Sequence, residues 1–121
     1  EIVAGEKTSK EAIDIAFSIA QKCGKTPIKV KDYPGFVANS ILMPMLNEAM
    51  LLLDKGVATK EGIDMIAKLG LHHPMGPLEL ADFIGLDVCL DITKSIYEAT
   101  GDEKSKESEI TKNNANKAIC D

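Results

Sequence analysis

The chain has 121 residues, a length that suits one domain, and a net charge of −5 with fourteen Lys and no Arg. An acidic chain without guanidinium groups is unsuited to nucleic acid, which favours basic surfaces and bidentate Arg contacts. The three cysteines are far apart and form no CxxC pair, so they suggest neither a disulfide framework nor a zinc site. Three cysteines without a disulfide pattern favour a protein of the reducing cytoplasm. Glu1 in place of Met indicates a processed chain or a piece of a longer one.

The first elements in chain order are those of a small α/β unit. Residues 2–3 are apolar, and Thr8 with Glu11 three positions later has the capping-box spacing that opens a helix. Gly24 is suited to end that helix, and residues 27–31 have the pattern of a short strand. Strand, helix and strand together are too small to form an independent sheet.

The next element is a long apolar helix. Pro34-Gly35 predicts a turn, and residues 36–54 are apolar on nearly every side, which predicts a buried central helix. Pro44 removes one intrahelical hydrogen bond and is expected to kink the helix. Because Asn39, Pro44 and Asn47 interrupt the apolar run, a buried helix is favoured over a membrane span.

Three shorter helices follow, and then the composition changes. Thr59 is predicted to cap a helix over residues 60–69, Pro77 to begin one that ends before Gly85, and Asp87 to cap one that ends at Thr100. Residues 102–121 are rich in Lys, Glu, Ser and Asn, so they are predicted to be a disordered tail with at most a helical turn around residues 110–119.

Histidine chemistry is weakly indicated. The only two histidines, His72 and His73, are adjacent and precede Pro74 in a loop. The simplest interpretation is two loop histidines, of which one packs or caps. A general base would need an orienting carboxylate, for which Glu79 or Asp82 is nearest in sequence, and a surface metal contact is a further alternative. The chain has no GxGxxG, P-loop, HExxH or GxSxG motif.

Asn39 is the candidate with the clearest physical reason. It lies between apolar turns of the long helix, and burying an amide without a partner costs about 1–3 kcal/mol. In a structural role, Asn39 bonds the turn at residues 32–35 or caps its own helix. In a functional role, its amide points into a cleft and binds a substrate oxygen. The residues alone leave both roles open.

Several motifs together resemble those of one enzyme family. They are Pro34-Gly35-Phe36-Val37-x-Asn39, Asn47-Glu48-Ala49, Leu69-Gly70-x-x-His73-Pro74-Met75-Gly76-Pro77-Leu78 and Asp82-x-Ile84-Gly85-Leu86-Asp87. In this combination the chain resembles the 3-hydroxyacyl-CoA dehydrogenases over residues 1–101, and among them it is most similar to the bacterial short-chain 3-hydroxybutyryl-CoA dehydrogenases.

The resemblance implies a mainly α fold. Residues 34–101 are expected to form a helical substrate and dimerisation domain, a bundle like the C-terminal domain of 6-phosphogluconate dehydrogenase. Residues 1–33 are expected to be the strand–helix–strand remnant of a Rossmann domain, and residues 102–121 a divergent tail. The full-length parent is expected to bind NAD and to use a His–Glu catalytic pair that lies before Glu1. No catalytic, cofactor-binding or metal-binding residue is then expected in this chain.

The resemblance also implies a function. The parent is expected to be a cytoplasmic oxidoreductase that interconverts 3-hydroxybutyryl-CoA and acetoacetyl-CoA, with Asn39 contacting the acyl-CoA substrate near the reacting carbonyl. A homodimer built from residues 36–100 is expected, and the isolated chain is expected to be inactive. Two features depart from the family: Ser40 stands where Arg is usual, and the tail lacks a Gly-Lys-Gly-Phe-Tyr segment. The alternative is a non-catalytic helical module for dimerisation or acyl-CoA binding.

Overall fold

The structure, a computed structural model, describes residues 1–103, 106, 109–114 and 118–120, without the side chains of residues 109 and 110. The chain divides into two compact units, Glu1–Ser40 and Ile41–Asp121. The described residues form two strands and six helices, of which all but one helix lie within the first hundred residues. The predicted mainly α architecture with a strand–helix–strand start is confirmed.

The first unit is built on a parallel pair of strands. Strand β1 (Ile2–Ala4) pairs with strand β2 (Lys29–Lys31), with Val3 opposite Val30. Helix α1 (Lys10–Lys22) connects them. None of its residues is fully buried, so much of its apolar surface is uncovered within this unit.

The cap of α1 differs from the prediction. Ser9, not Thr8, is the N-cap, because the Ser9 hydroxyl accepts the backbone N–H of Ala12 over 3.1 Å. The Thr8 hydroxyl instead accepts the N–H of Gly5 over 3.1 Å and closes the turn after β1. Both hydroxyls are suited to capping, and the preceding turn uses the first of them.

The second unit is a set of packed helices. Its helices are α2 (Ala38–Asp54, whose first turn lies in the first unit), α3 (Lys60–Gly70), α4 (Pro77–Ile84), α5 (Leu86–Thr100) and α6 (Glu109–Asn113). The largest fully buried side chains are Met43, Leu46 and Met50 of α2, Leu78 of α4 and Cys89 of α5. The core is therefore aliphatic and sulfur-rich, as a chain without Trp requires.

Helix α2 is less buried than its sequence predicts. Its buried residues form one stripe, while Ile41 is 67% exposed. The helix ends at Gly56 as predicted, since Gly56 has φ 65 and its N–H donates to Leu53 O over 3.0 Å. The N–H of Val57 donates to Leu52 O, which completes a Schellman motif. In the part of the chain that the structure describes, no helix has the length and apolarity needed to cross a membrane.

The remaining caps follow local sequence with one exception. The Thr59 hydroxyl accepts the N–H of Gly62 over 3.1 Å, so the predicted cap of α3 is confirmed. Helix α4 begins at Pro77 as predicted. The cap of α5 is Gly85, with φ 104, and not Asp87, which lies in the first helical turn. The positive φ there favours glycine, whereas a carboxylate in the first turn still stabilises the helix dipole.

Part of the tail belongs to the second unit. Helix α6 covers the beginning of the helical turn predicted around residues 110–119, and its Thr111 is buried, with its hydroxyl 2.8 Å from Met50 Sδ. The predictions made for residues 104, 105, 107, 108, 115–117 and 121 fall outside the described residues.

Candidate functional site

The chain enters α2 through a tight turn at Tyr33–Phe36. The N–H of Phe36 donates to Tyr33 O over 2.8 Å, and Gly35 has φ 79. Proline followed by a positive-φ glycine is the type II turn arrangement. Phe36 itself has φ 46, a left-handed conformation that costs a non-glycine residue about 1–3 kcal/mol. Neighbouring contacts must therefore hold this turn in place.

Glu1 is one of those contacts. Its Oε1 accepts the backbone N–H groups of Val37 and Ala38 over 2.7 and 3.2 Å. These groups belong to the start of α2, where no residue of the helix itself provides a partner. A carboxylate there also interacts favourably with the helix dipole. Glu1 therefore caps α2 from 36 residues away in sequence.

Ser40 is the second contact. Its hydroxyl lies within hydrogen-bond distance of the carbonyl oxygens of Pro34 and Phe36, 3.0 Å from the first. A hydroxyl has one proton, so it donates to one carbonyl at a time. Ser40 thus joins the first turn of α2 to the turn that precedes it.

Asn39 lies between these contacts, as the second residue of α2, and is half-buried. The two structural roles considered from the sequence were to bond the turn or to cap the helix. In the described residues those roles belong to Ser40 and Glu1. No hydrogen bond is found between the Asn39 side chain and the described residues.

The buried amide of α2 is Asn47, which the sequence analysis treated as an interruption of an apolar run and as part of a family motif, but not as a residue with a structural partner. Its Nδ2 donates to Lys106 O over 2.8 Å, so it joins α2 to the chain beyond α5. A buried amide needs a specific partner, and Asn47 has one in the Lys106 carbonyl oxygen. Its spacing from Met43 and Met50, both fully buried on the same helix, is the signal that indicates burial.

Asp64 is a second buried polar residue that the sequence did not single out. Its carboxylate accepts the N–H groups of Leu78 and Glu79 over 2.8 and 3.1 Å and so caps α4 from α3. A Cβ at Gly76 would lie 2.3 Å from the Asp64 side chain, so glycine is required there. The sequence signal that could have identified Asp64 is an acidic residue on the apolar, buried side of the amphipathic helix α3.

The two histidines lie in the loop that precedes this capped helix. His72 is exposed with φ 56, while His73 is half-buried and donates its backbone N–H to Ala67 O over 3.2 Å. The described residues include no group of three or more His, Cys, Asp or Glu side chains that could hold a metal ion. Neither histidine side chain is hydrogen-bonded to a carboxylate among the residues that the structure describes.

A charge pair joins α3 and α4 at the surface. Lys68 Nζ lies 2.8 Å from Glu79 Oε2. The hydrogen bond between them raises the pKa of Lys68 and lowers the pKa of Glu79. Both side chains are substantially exposed, so solvent screens the pair and its contribution to stability is small.

An apolar groove of about 370 Å³ lies between α2 and α3. Met45, Ile63, Ile66 and Leu71 contribute to its walls, with Glu48 and His73 as its polar members. Such a surface is suited to an apolar partner rather than to proton transfer.

Two family profiles match the chain in succession. The profile described as "3-hydroxyacyl-CoA dehydrogenase, NAD binding domain" matches residues 1–33. The profile described as "3-hydroxyacyl-CoA dehydrogenase, C-terminal domain" matches residues 35–118. The second match passes residue 101, where the motif resemblance ends.

Individual relatives agree with these profiles. The chain is 53% identical over 110 residues to a probable 3-hydroxybutyryl-CoA dehydrogenase of Deinococcus radiodurans, covering 91% of this chain and 40% of that protein. It is 49% identical over 104 residues to a 3-hydroxybutyryl-CoA dehydrogenase of Clostridioides difficile, covering 86% of this chain and 37% of that protein. The crystal structure of (S)-3-hydroxybutyryl-CoA dehydrogenase from Ralstonia eutropha matches with a TM-score of 0.87 at 41% identity, covering 92% of this chain and 39% of that one. The chain thus spans about two fifths of the length of these two bacterial relatives.

Proposed function

Because the chain belongs to the 3-hydroxyacyl-CoA dehydrogenase family, we propose that the protein containing it is an NAD-dependent oxidoreductase that interconverts 3-hydroxybutyryl-CoA and acetoacetyl-CoA. The structural feature of this chain that supports the proposal is the arrangement of residues at the start of α2. There a strained turn, a carboxylate cap and a serine contact surround an asparagine with no hydrogen bond to the described residues.

In this proposal Asn39 contacts the substrate. Its amide donates a hydrogen bond to the carbonyl oxygen at C3 of the acyl group, where negative charge develops when the ketone is reduced. A donor fixed in advance at such an oxygen stabilises the transition state more than the ground state. The caps at the start of α2 supply the rigidity that this role requires.

Glu1 is an addition to the site predicted from the sequence. The resemblance placed both members of the His–Glu pair before Glu1. However, the Glu1 carboxylate contacts the residue next to Asn39 and uses only Oε1 in its two bonds to α2. We therefore assign to Glu1 the carboxylate role of that pair, in which Oε2 orients the histidine that moves the hydroxyl proton.

NAD is the proposed cofactor of the whole protein, but the residues of this chain do not fit an NAD site. The 121 residues contain no glycine-rich GxGxxG turn after a strand, which is the feature that receives a dinucleotide pyrophosphate. The matched end of the NAD-binding domain, residues 1–33, supplies a strand pair and a helix only. The cofactor would accept or donate the hydride while held by other residues of the protein.

The proposed organisation keeps the first division predicted from the sequence, between a Rossmann remnant at residues 1–33 and a helical domain from residue 34. The predicted tail from residue 102 is included in the helical domain, because the family match runs to residue 118 and Thr111 is buried beside Met50. The family matches at residues 1–33 and 35–118 support the first boundary. A cytoplasmic location is also part of the proposal, supported by three cysteines that form no disulfide.

A homodimer built from residues 36–100 is the proposed assembly. Five large apolar side chains in and beside α3 are each more than half exposed: Val57, Met65, Ile66, Leu69 and Leu71. A symmetric second copy that packs on this surface would cover it. Ile66→Glu is expected to leave a monomer in sedimentation equilibrium, whereas Val88→Glu on α5 should leave the dimer intact. A dimer unaffected by Ile66→Glu would place the interface elsewhere.

Activity is tested in a chimera in which this chain replaces the matching segment of the Deinococcus radiodurans relative. We expect the purified chimera to oxidise NADH with acetoacetyl-CoA. A folded, dimeric chimera without turnover would instead favour the non-catalytic module.

The same chimera separates the two roles of Glu1. Glu1→Gln keeps an oxygen that can accept both N–H groups of α2 but removes the charge. We expect kcat to fall by about tenfold or more, with Glu6→Gln as the exposed control. A kcat unchanged by Glu1→Gln would leave Glu1 with its capping role alone.

A further inference from the structure

The last described segment of the chain, residues 118–120, lies against α4 of the second unit. The N–H of Ile119 donates to Asp82 Oδ1 over 2.6 Å, and the N–H of Cys120 donates to Asp82 Oδ2. A carboxylate that accepts two consecutive backbone N–H groups, one on each oxygen, forms a charge-assisted anchor. Asp82 thus binds this segment through its backbone, whatever side chains it carries.

Further contacts extend the attachment to α3. Lys60 Nζ lies 3.4 Å from Ile119 O, and the Cys120 thiol lies 4.0 Å from Asp64 Oδ2. Ile119 and Cys120 also pack against the hydrophobic core. Asp64 is the residue that caps α4, so the segment reaches the junction at which α3 fixes the start of α4.

We propose that residues 118–120 form a latch that closes over the α3–α4 junction and is held there by the Asp82 carboxylate. The fully enclosed residues of the core cluster all belong to α2, α3, α4 and α5, and Ile119 and Cys120 pack only at its edge. We therefore expect the helical unit to stay folded when the latch opens. Opening releases two backbone N–H groups and exposes the Ile119 side chain and the Cys120 thiol. The latch is independent of the proposed enzymatic activity.

The three cysteines provide an internal set of reporters. Cys23 is exposed, Cys89 is buried in the core, and Cys120 is half-buried in the latch. Burial, together with the hydrogen bond to Asp82, raises the pKa of Cys120 to about 11. In the closed latch we therefore expect N-ethylmaleimide to modify Cys23 rapidly, Cys120 slowly and Cys89 most slowly.

The test uses the whole 121-residue chain with Asp82→Asn, which preserves shape but places NH₂ donors against a backbone N–H. We expect modification of Cys120, followed by mass spectrometry, to become about tenfold faster or more, with Cys23 and Cys89 unchanged. Asp91→Asn, at an exposed acid of α5, is the matched control and should leave Cys120 slow.

Amide hydrogen exchange separates opening from a change in thiol pKa alone. Opening also accelerates exchange at the Ile119 and Cys120 amides. Faster modification without faster exchange overturns the latch, as does an unchanged rate of both. If Cys89 also becomes reactive, the Asp82→Asn substitution has unfolded the helical unit. The same measurements are then made on a second variant, Ile119→Ala. That variant must then show faster modification of Cys120 with Cys89 protected, and an unchanged rate overturns the proposal.

Discussion

Asp64→Asn tests how the second unit is held together. The Asp64 carboxylate accepts the N–H groups of Leu78 and Glu79, the second and third residues of α4. Asparagine has nearly the same shape, so the substitution leaves no cavity. It keeps one acceptor oxygen, but it places an NH₂ group where the second backbone N–H needs an acceptor. Packing is preserved, and only charge and hydrogen bonding change.

The expected cost of Asp64→Asn follows from those two bonds. Losing one hydrogen bond to a charged acceptor costs about 1.5–3 kcal/mol. Losing negative charge at a helix N-terminus costs about 0.3–2 kcal/mol, with the larger values in buried sites such as this one. The free energy of unfolding should therefore fall by about 2–5 kcal/mol, a large part of the roughly 5–15 kcal/mol typical of a domain.

Urea denaturation followed by far-UV circular dichroism measures this loss. Asp91→Asn is the control, because a substitution at an exposed acid changes stability by about 0.5 kcal/mol or less. An Asp64→Asn variant that unfolds at the same urea concentration as this control would refute the capping role of Asp64.

Three further predictions concern the chain itself. Gly76→Ala should destabilise it by about 1–3 kcal/mol, because the new Cβ would lie 2.3 Å from Asp64; Gly70→Ala, which meets open space, should be neutral or stabilising, and equal effects would contradict the clash. Glu79→Gln should be less stable than wild type at neutral pH. Because the pKa of Glu79 is lowered in the folded chain, the ion pair stabilises the fold above the ordinary pKa of a glutamate, and this stabilisation is lost as the pH falls through the lowered pKa. The pKa of Lys68 is raised in the folded chain, so the contribution of Lys68 is lost only in strong alkali. Urea midpoints of the two proteins should therefore converge in acid, and a difference that persists there would contradict the ion pair. The isolated chain should not oxidise NADH with acetoacetyl-CoA, and turnover by a preparation free of host enzyme would contradict that expectation.

The sequence predicts features that depend on a few neighbouring residues. The cap at Thr59, the end of α2 at Gly56 and the start of α4 at Pro77 each follow from local backbone chemistry, and all three are confirmed. Prediction failed where two neighbours were equally suited. Thr8 and Ser9 can both cap α1, and only the turn that uses Thr8 decides between them.

Long-range polar contacts could not be predicted in the same way. Asn47 finds its partner 59 residues away, and Asp64 finds its partners 14 and 15 residues away. Sequence periodicity indicates which side chains are buried, but it does not say which backbone groups they meet. Glu1 was overlooked for the same reason, because its contact with α2 spans 36 residues.

The candidate site combines both kinds of information. The apolar surroundings of the amide selected Asn39 and left a structural role open, while the motif resemblance favoured its substrate role. The fold adds that Ser40 and Glu1 perform the structural tasks considered for Asn39. The substrate role of Asn39 stays a proposal.

The most direct measurement of that role is the effect of Asn39→Ala on kcat and KM in the Deinococcus radiodurans chimera, with Asn113→Ala in α6 as the control. A donor that acts on developing charge at the carbonyl oxygen affects the barrier rather than uniform binding. We predict that kcat for acetoacetyl-CoA reduction falls by about 10²-fold or more while KM changes little, and that Asn113→Ala leaves both unchanged. A folded Asn39→Ala variant with unchanged kcat would contradict the account.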